Sequence, residues 1–192
     1  MSHTHSAILV NWEDCYPAIS DNLRFSLGKP PTTPIPQILN PGDLVEVPGM
    51  GAPGGIPEFR HITVLFGVSP DFTAEDLDTI LVESGITFQP LRFSLGMISL
   101  FCKPDYDVIK LPVLSVKLHL LNHFLRDRVP MAVTEGNFSL SGYKAHLTLG
   151  YVRAGVGDQY KDTALPDFSN KLFRVSGITL STESGLYKIA LR

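Results

Sequence analysis

The chain has 192 residues, 44% of them apolar, and a formal net charge of −3 from 16 basic and 19 acidic side chains. That is enough chain to bury a core as a single domain. The charge balance excludes the broad positive field that gathers long nucleic acid by counterion release, and leaves a short or small anionic ligand as the compatible partner.

From the N-terminus, Met1-Ser-His-Thr-His lacks the basic start and apolar run of a signal peptide. No segment reaches the ~18 apolar residues of a membrane helix, so a soluble, cytoplasmic protein is expected. Residues 6 to 12, Ser-Ala-Ile-Leu-Val-Asn-Trp, are a short apolar run ahead of turn-prone Glu13, Asp14 and Pro17, which suits a buried strand. Residues 28 to 57 are dense in proline and glycine, a composition that neither a helix nor a central strand tolerates. A stretch of that kind reads as a disordered or surface insertion, or as a lid over a site.

Phe59 to Val68 reads as a strand. Thr73 then supplies an N-cap, with Asp76 three residues on where a capping box would hold Glu or Gln, for a helix ending before Gly85. Two strands, Thr87 to Cys102 and Val108 to Val116, form a hairpin about Lys103-Pro104-Asp105. Leu118, Leu121, Phe124 and Leu125 mark a helical stripe ending in basic residues. Tyr143 to Val152 is a further strand, and Leu172 to Thr182 with Leu186 to Leu191 close the chain as a hairpin. The interleaving of hairpins and helices predicts an α+β class with mainly antiparallel sheet. The order also carries a hidden duplication, two similar lobes sharing a cleft, in one domain spanning residues 1–192. Cys15 and Cys102, far apart and without a C-x-x-C spacing, read as reduced thiols.

Two segments carry the chemistry: His61-Ile62-Thr63-Val64 and His146-Leu147-Thr148-Leu149. On a strand, positions i and i+2 share a face, so each imidazole projects with its threonine hydroxyl while Ile62 or Leu147 points the other way. Imidazole titrates near pH ~6.5, so one neutral His can accept a proton from an attacking hydroxyl while a protonated second His donates to a leaving oxygen. Each hydroxyl can hold a non-bridging phosphate oxygen. Such a site needs neither metal nor cofactor. A single His-x-Thr in a chain with 6 histidines is unremarkable; two copies at matching places of a duplicated order are not. His61, Thr63, His146 and Thr148 are therefore the candidate catalytic residues.

At these residues the chain resembles the 2H phosphoesterase superfamily, whose hallmark is two His-x-Thr/Ser motifs on central strands. More narrowly, Pro57 to Gly67 and Phe173-Arg-Val-Ser-Gly-Ile-Thr-Leu-Ser-Thr resemble the phage anti-CBASS branch. The resemblance implies a bilobed fold, two mainly antiparallel sheets with flanking helices around a central cleft. It also implies a phosphodiesterase acting on cyclic or short oligonucleotides. The alternatives are an RNA-end enzyme that opens 2',3'-cyclic phosphates, or is like the 2',5' RNA ligases, which would use the same four residues, and a non-catalytic nucleotide-binding module.

Candidate substrate contacts are Phe59, which shares the His61 face; Gly150, which shares the His146 face by alternation and leaves room for phosphate or sugar; Lys144, for a phosphate; and Tyr143 and Trp12 as stacking rings. His119 and His123 lie i, i+4 on the second helix, but with Leu120, Leu121 and Asn122 between them and no third ligand they read as a helix face.

Overall fold

A computed structural model describes residues 6–18, 37–85, 91–132, 142–166, 168–169 and 171–191. The strands are β1 (Ser6–Asn11), β2 (Cys15–Pro17), β3 (His61–Val68), β4 (Leu91–Leu95), β5 (Ser99–Cys102), β6 (Tyr106–Leu114), β7 (His146–Arg153), β8 (Leu172–Val175), β9 (Gly177–Thr182) and β10 (Gly185–Ala190). The helices are α1 (Ala74–Glu83) and α2 (Val116–Arg126). The class is α+β, and every pairing between these strands is antiparallel. The two expected sheets are joined into one hydrogen-bonded path, β10-β9-β1-β3-β7-β6-β4-β8-β2, with β5 against β6. Its halves meet at a narrow seam, where β3 and β7 pair at Ile62 and Leu147.

Those two residues are the middle letters of the two His-x-Thr motifs, and both are fully buried. Burying each removes an aliphatic side chain from water, a gain of roughly 1.5–3 kcal/mol. That gain holds the polar letters on either side to the opposite face. Ile8, Val10, Val64, Ile109, Leu111 and Leu149 belong to the same core, so the seam is anchored from beneath by both halves.

α1 begins at Thr73, whose hydroxyl accepts from the Asp76 amide at 3.1 Å while the Asp76 carboxylate accepts from the Thr73 amide at 3.0 Å. The shorter acid thus closes the reciprocal box; the Thr73 hydroxyl, donating to the Asp76 carboxylate at 2.6 Å, and after it the Thr73 amide hold that carboxyl pKa below the ordinary value. α2 packs against β3 and β4 through its predicted stripe, with Leu118, Leu121 and Leu125 buried. Among the described residues no helix is long and apolar enough to cross a membrane.

Three expectations are revised. The expected strand over residues 87–102 is two, β4 and β5; residues 87–90 lie outside the described residues. The break falls at Gly96, Met97 and Ile98, where the Ile98 backbone turns to bond Thr163 O and the Asp162 amide. The expected strand over 172–182 divides at Ser176, which bonds Asp14 O. β8 pairs with β2 and β4, whereas β9 pairs with β1 and β10. The chain crosses between the halves there, and again from β1 to β2, so one long strand cannot serve both.

The third concerns the Pro/Gly-rich stretch. Its residues 28–36 lie outside those described, but 37–57 pack against β7 as an ordered cover. Leu39, Val47 and Ala52 are buried, the Val45 amide donates to Tyr151 O at 3.0 Å and the Arg153 amide to Asp43 O at 3.0 Å. The Asp43 carboxylate accepts from Tyr160 and Gln159 at 2.7 Å each and from Arg153 at 3.3 Å.

Candidate active site

The two motifs are built alike in ways that no spacing rule requires. His61 Nδ1 donates to the carbonyl of Phe59 at 3.0 Å, and His146 Nδ1 donates to the carbonyl of Lys144 at 2.7 Å. In each case the partner is the backbone carbonyl two residues earlier. A carbonyl only accepts, so Nδ1 carries the proton and Nε2, the other ring nitrogen, is the working one, a base when neutral and an acid when protonated. The same bond fixes the ring plane, which is the positioning a proton-transfer residue requires.

The second likeness is a pair of bulges. β1 pairs Leu9 with Thr63 and Ile8 with Leu65, leaving Val64 as the extra residue; β6 pairs Lys110 with Thr148 and Ile109 with Gly150, leaving Leu149 extra. Each bulge falls three residues after its histidine, just past the threonine. A bulge re-aims the strand and strengthens its twist, a device common beside functional sites. The Val64 carbonyl, displaced from the ladder, accepts from the buried Asn122 side chain at 2.6 Å.

Continuing the antiparallel register from Ile62–Leu147 sets His61 beside Thr148 and Thr63 beside His146. The two histidines then lie diagonally on one face, as cross-strand neighbours about 7–8 Å apart. The imidazoles sense each other: a charge on His61 disfavours protonation of His146. The pKa of His146 lies below the ordinary imidazole value, chiefly through burial. The Lys144 carbonyl opposes that shift, and the charges of Lys110 and His61 add to it.

Beside Thr63 and His146 opens a cavity of about 300 Å³, lined by Phe66, Phe101, Asn122, Arg126, Tyr143 and Lys144 among others. Of the expected substrate contacts, Lys144 lines this cavity as an exposed cation, and Tyr143 lines it with its ring while its hydroxyl donates to Thr63 O at 2.9 Å. Burial pushes the Tyr143 phenol pKa far above its ordinary value, which keeps it a donor. Phe59 is 64% exposed and supplies the carbonyl that holds His61.

Two expectations are overturned. Trp12 is 5% exposed and packs among Phe173, Phe168 and Phe93, with ring centroids 5.1, 5.9 and 6.5 Å away; it is a core residue with no face for a ligand. Gly150 faces the core side, because the bulge at Leu149 shifts the alternation by one. A Cβ there would meet Leu39 Cδ1 at 2.6 Å and Gly55 O at 2.9 Å, so its missing side chain makes room for the 37–57 cover and not for a phosphate.

His119 donates Nδ1 to Ser115 O at 2.9 Å, the local bond of a helix face. Among the described residues no group of three or more His, Cys, Asp or Glu is placed to hold a metal ion.

The strongest omission from the sequence-based set is Lys110. It lies opposite Thr148, is 6% exposed, donates to Ser99 Oγ at 2.7 Å, and holds its ammonium 4.1 Å from the Phe101 ring centre. The Phe101 ring in turn meets His146 edge-on at 5.0 Å. The signal was a lysine inside an apolar strand, Val108-Ile109-Lys110-Leu111. Phe66, Asn122 and Arg126 were also missed; they reach the cavity only because α2 packs on β3.

No family profile matches the chain, and no curated protein matches it in sequence. Two solved structures of Usb1 from Kluyveromyces marxianus are similar to it. One, with uridine monophosphate, has a TM-score of 0.44 at 11% identity and covers 70% of this chain and 76% of that one. The other has a TM-score of 0.45 at 12% identity, covering 70% and 77%.

Proposed function

We propose that the protein is a phosphodiesterase acting on a short RNA end, with His61, Thr63, His146 and Thr148 as its catalytic set. The observation that carries this is the identical mounting of the two imidazoles. Each is pinned at Nδ1 by the carbonyl two residues earlier, on strands that pair at the residue between His and Thr.

His146, held toward its neutral form, is the base: its Nε2 takes the proton of an attacking 2'-hydroxyl or water. His61 Nε2 gives its proton to the leaving oxygen, and the Thr63 and Thr148 hydroxyls donate to non-bridging oxygens. This chemistry is complete in protons and requires no metal. The cavity beside Thr63 and His146, with Phe66 and Phe101 as stacking faces, is at the lower bound of the ~300–1,000 Å³ typical of small-ligand sites. That is room for one terminal nucleoside. One of the solved structures above holds uridine monophosphate, and a ligand of that class is proposed here. A cyclic oligonucleotide, the substrate implied by the sequence resemblance, is the alternative that the same assay separates.

The test is chromatographic. The protein is incubated with a short 3',5'-linked oligoribonucleotide, a 2',3'-cyclic phosphate end, and cyclic di- and trinucleotides, each with EDTA. We expect turnover of an RNA end in chelator, falling about 10²–10⁴-fold in His61→Ala and in His146→Ala. Wild-type turnover in either folded variant sinks the proposal. Turnover of the cyclic oligonucleotides alone replaces the substrate while retaining the chemistry.

A further inference from the structure

Among the described residues, Lys110 is a buried charge without a countercharge. The residue is 6% exposed, and its side-chain partners among the described residues are a hydroxyl, Ser99 Oγ at 2.7 Å, and an aromatic face, Phe101 at 4.1 Å. Neither neutralises an ammonium. Asp107, three residues back on β6, lies on the opposite face, where its carboxylate accepts from the Gly155 and Gly157 amides at 2.8 and 3.0 Å. The charged groups that line the adjoining cavity, Arg126 from α2 and Lys144 ahead of β7, are positive as well, and among the described residues no acidic side chain lines it. In a protein of net charge −3, this face concentrates cations.

A buried ammonium with no carboxylate is costly to keep, and a chain free to place leucine or methionine there would gain stability by doing so. The position has a reason if the countercharge arrives with the ligand. Lys110 is directly across the β6–β7 ladder from Thr148, and its Phe101 cover is the ring that touches His146.

We propose that Lys110 is the permanent cation of an anion subsite beside Thr148, and that its countercharge is a phosphate oxygen of the bound nucleotide. This rests on the phosphodiesterase reading of the same cleft and adds to it a group that neither motif contains. The histidines lose their charge as pH rises, whereas an ammonium keeps its charge well above the range in which imidazole titrates. Burial, with the Lys144 charge adding, lowers the pKa of Lys110 from the ordinary lysine value, as an uncompensated site requires. Phosphate affinity should therefore persist at a pH where both imidazoles are neutral.

The experiment is calorimetric titration of the full chain with uridine 3'-monophosphate and with inorganic phosphate at pH 6 and pH 8. Wild type, Lys110→Met and Lys110→Gln are compared. Methionine keeps the stem and a sulfur contact to Phe101; glutamine keeps a hydrogen bond for Ser99, so a folding defect in one leaves the other to decide. The expected result is binding at pH 8 in wild type, weakened about tenfold or more in both variants, with thermal midpoints equal to or above wild type.

Unchanged affinity at pH 8 in either folded variant overturns the inference. So does a loss of stability in both variants, which would make Lys110 a structural residue. The histidine variants judge the phosphodiesterase reading separately. If they lose turnover while Lys110→Met binds like wild type, the chemistry stands and this subsite does not.

Discussion

The β3 and β7 copies of the His-x-Thr strand are the same device in two settings. Both pin Nδ1 to a carbonyl two residues back, both bury the middle residue at the seam, and both bulge three residues after the histidine. Beyond the bulge they part. On β3, Phe66 emerges 49% exposed into the cavity; on β7 the matching position, Tyr151, is 8% exposed beneath Val45, Val47 and Ala52. β6 contributes a buried lysine opposite Thr148, whereas β1 sets Leu9 opposite Thr63. A repeated backbone motif thus fixes where two imidazoles stand, and the neighbours of each copy decide how they differ in charge and access.

The likeness of the two copies is tested most severely at the threonines. Thr63→Val and Thr148→Val keep the shape and remove one hydroxyl each. Loss of a hydrogen bond to a charged oxygen predicts turnover about 10- to 100-fold lower in both. Steady-state rates on the RNA-end substrate check this, and a wild-type rate in either variant breaks the pairing of the two strands.

The contrast beyond the bulge is tested at Gly150. Gly150→Ala drives a methyl into Leu39 and the Gly55 carbonyl, and overpacking of that kind costs about 1–3 kcal/mol. Denaturant midpoints should fall, with turnover per folded molecule altered far less, because the glycine faces the cover and not the cleft. A variant as stable as wild type, but unable to bind nucleotide, would return Gly150 to the site.

The smallest effect is in pH. As the base, His146 must be neutral to act, and its pKa is depressed by burial first and by the Lys110 and His61 charges after. Activity should therefore persist to lower pH than an imidazole base of ordinary pKa would allow. Lys110→Met removes one positive neighbour, so the pKa of His146 rises and the acidic limb of kcat/KM moves to higher pH. A limb that stays in place, or moves down, contradicts the assignment of His146 as base.

Much of this was written in local pattern. Period-two alternation is enough to place His and Thr on one face of each strand, because side chains on a strand alternate whatever the tertiary context. Thr73 with Asp76, and the Leu118, Leu121, Leu125 stripe, mark their helices for equally local reasons. The class followed from the order of hairpins and helices.

What the sequence could not express is pairing between strands. A bulge is a mismatch between two strands, so the reversal that turns Gly150 toward Leu39 exists only once β6 lies beside β7. The same holds for Trp12, whose aromatic surroundings come from β4, β8 and Phe168, and for Ser176, where one apolar run serves two halves of the sheet. It holds most of all for Lys110. An apolar strand with one lysine says nothing of a missing countercharge until the fold shows which groups surround it, because burial and electrostatics are properties of the assembled neighbourhood. The sequence alone determined which side chains can move protons; the tertiary structure decided that their rings are pinned alike and that, among the described residues, a buried cation stands on the strand beside one copy and an apolar residue on the strand beside the other.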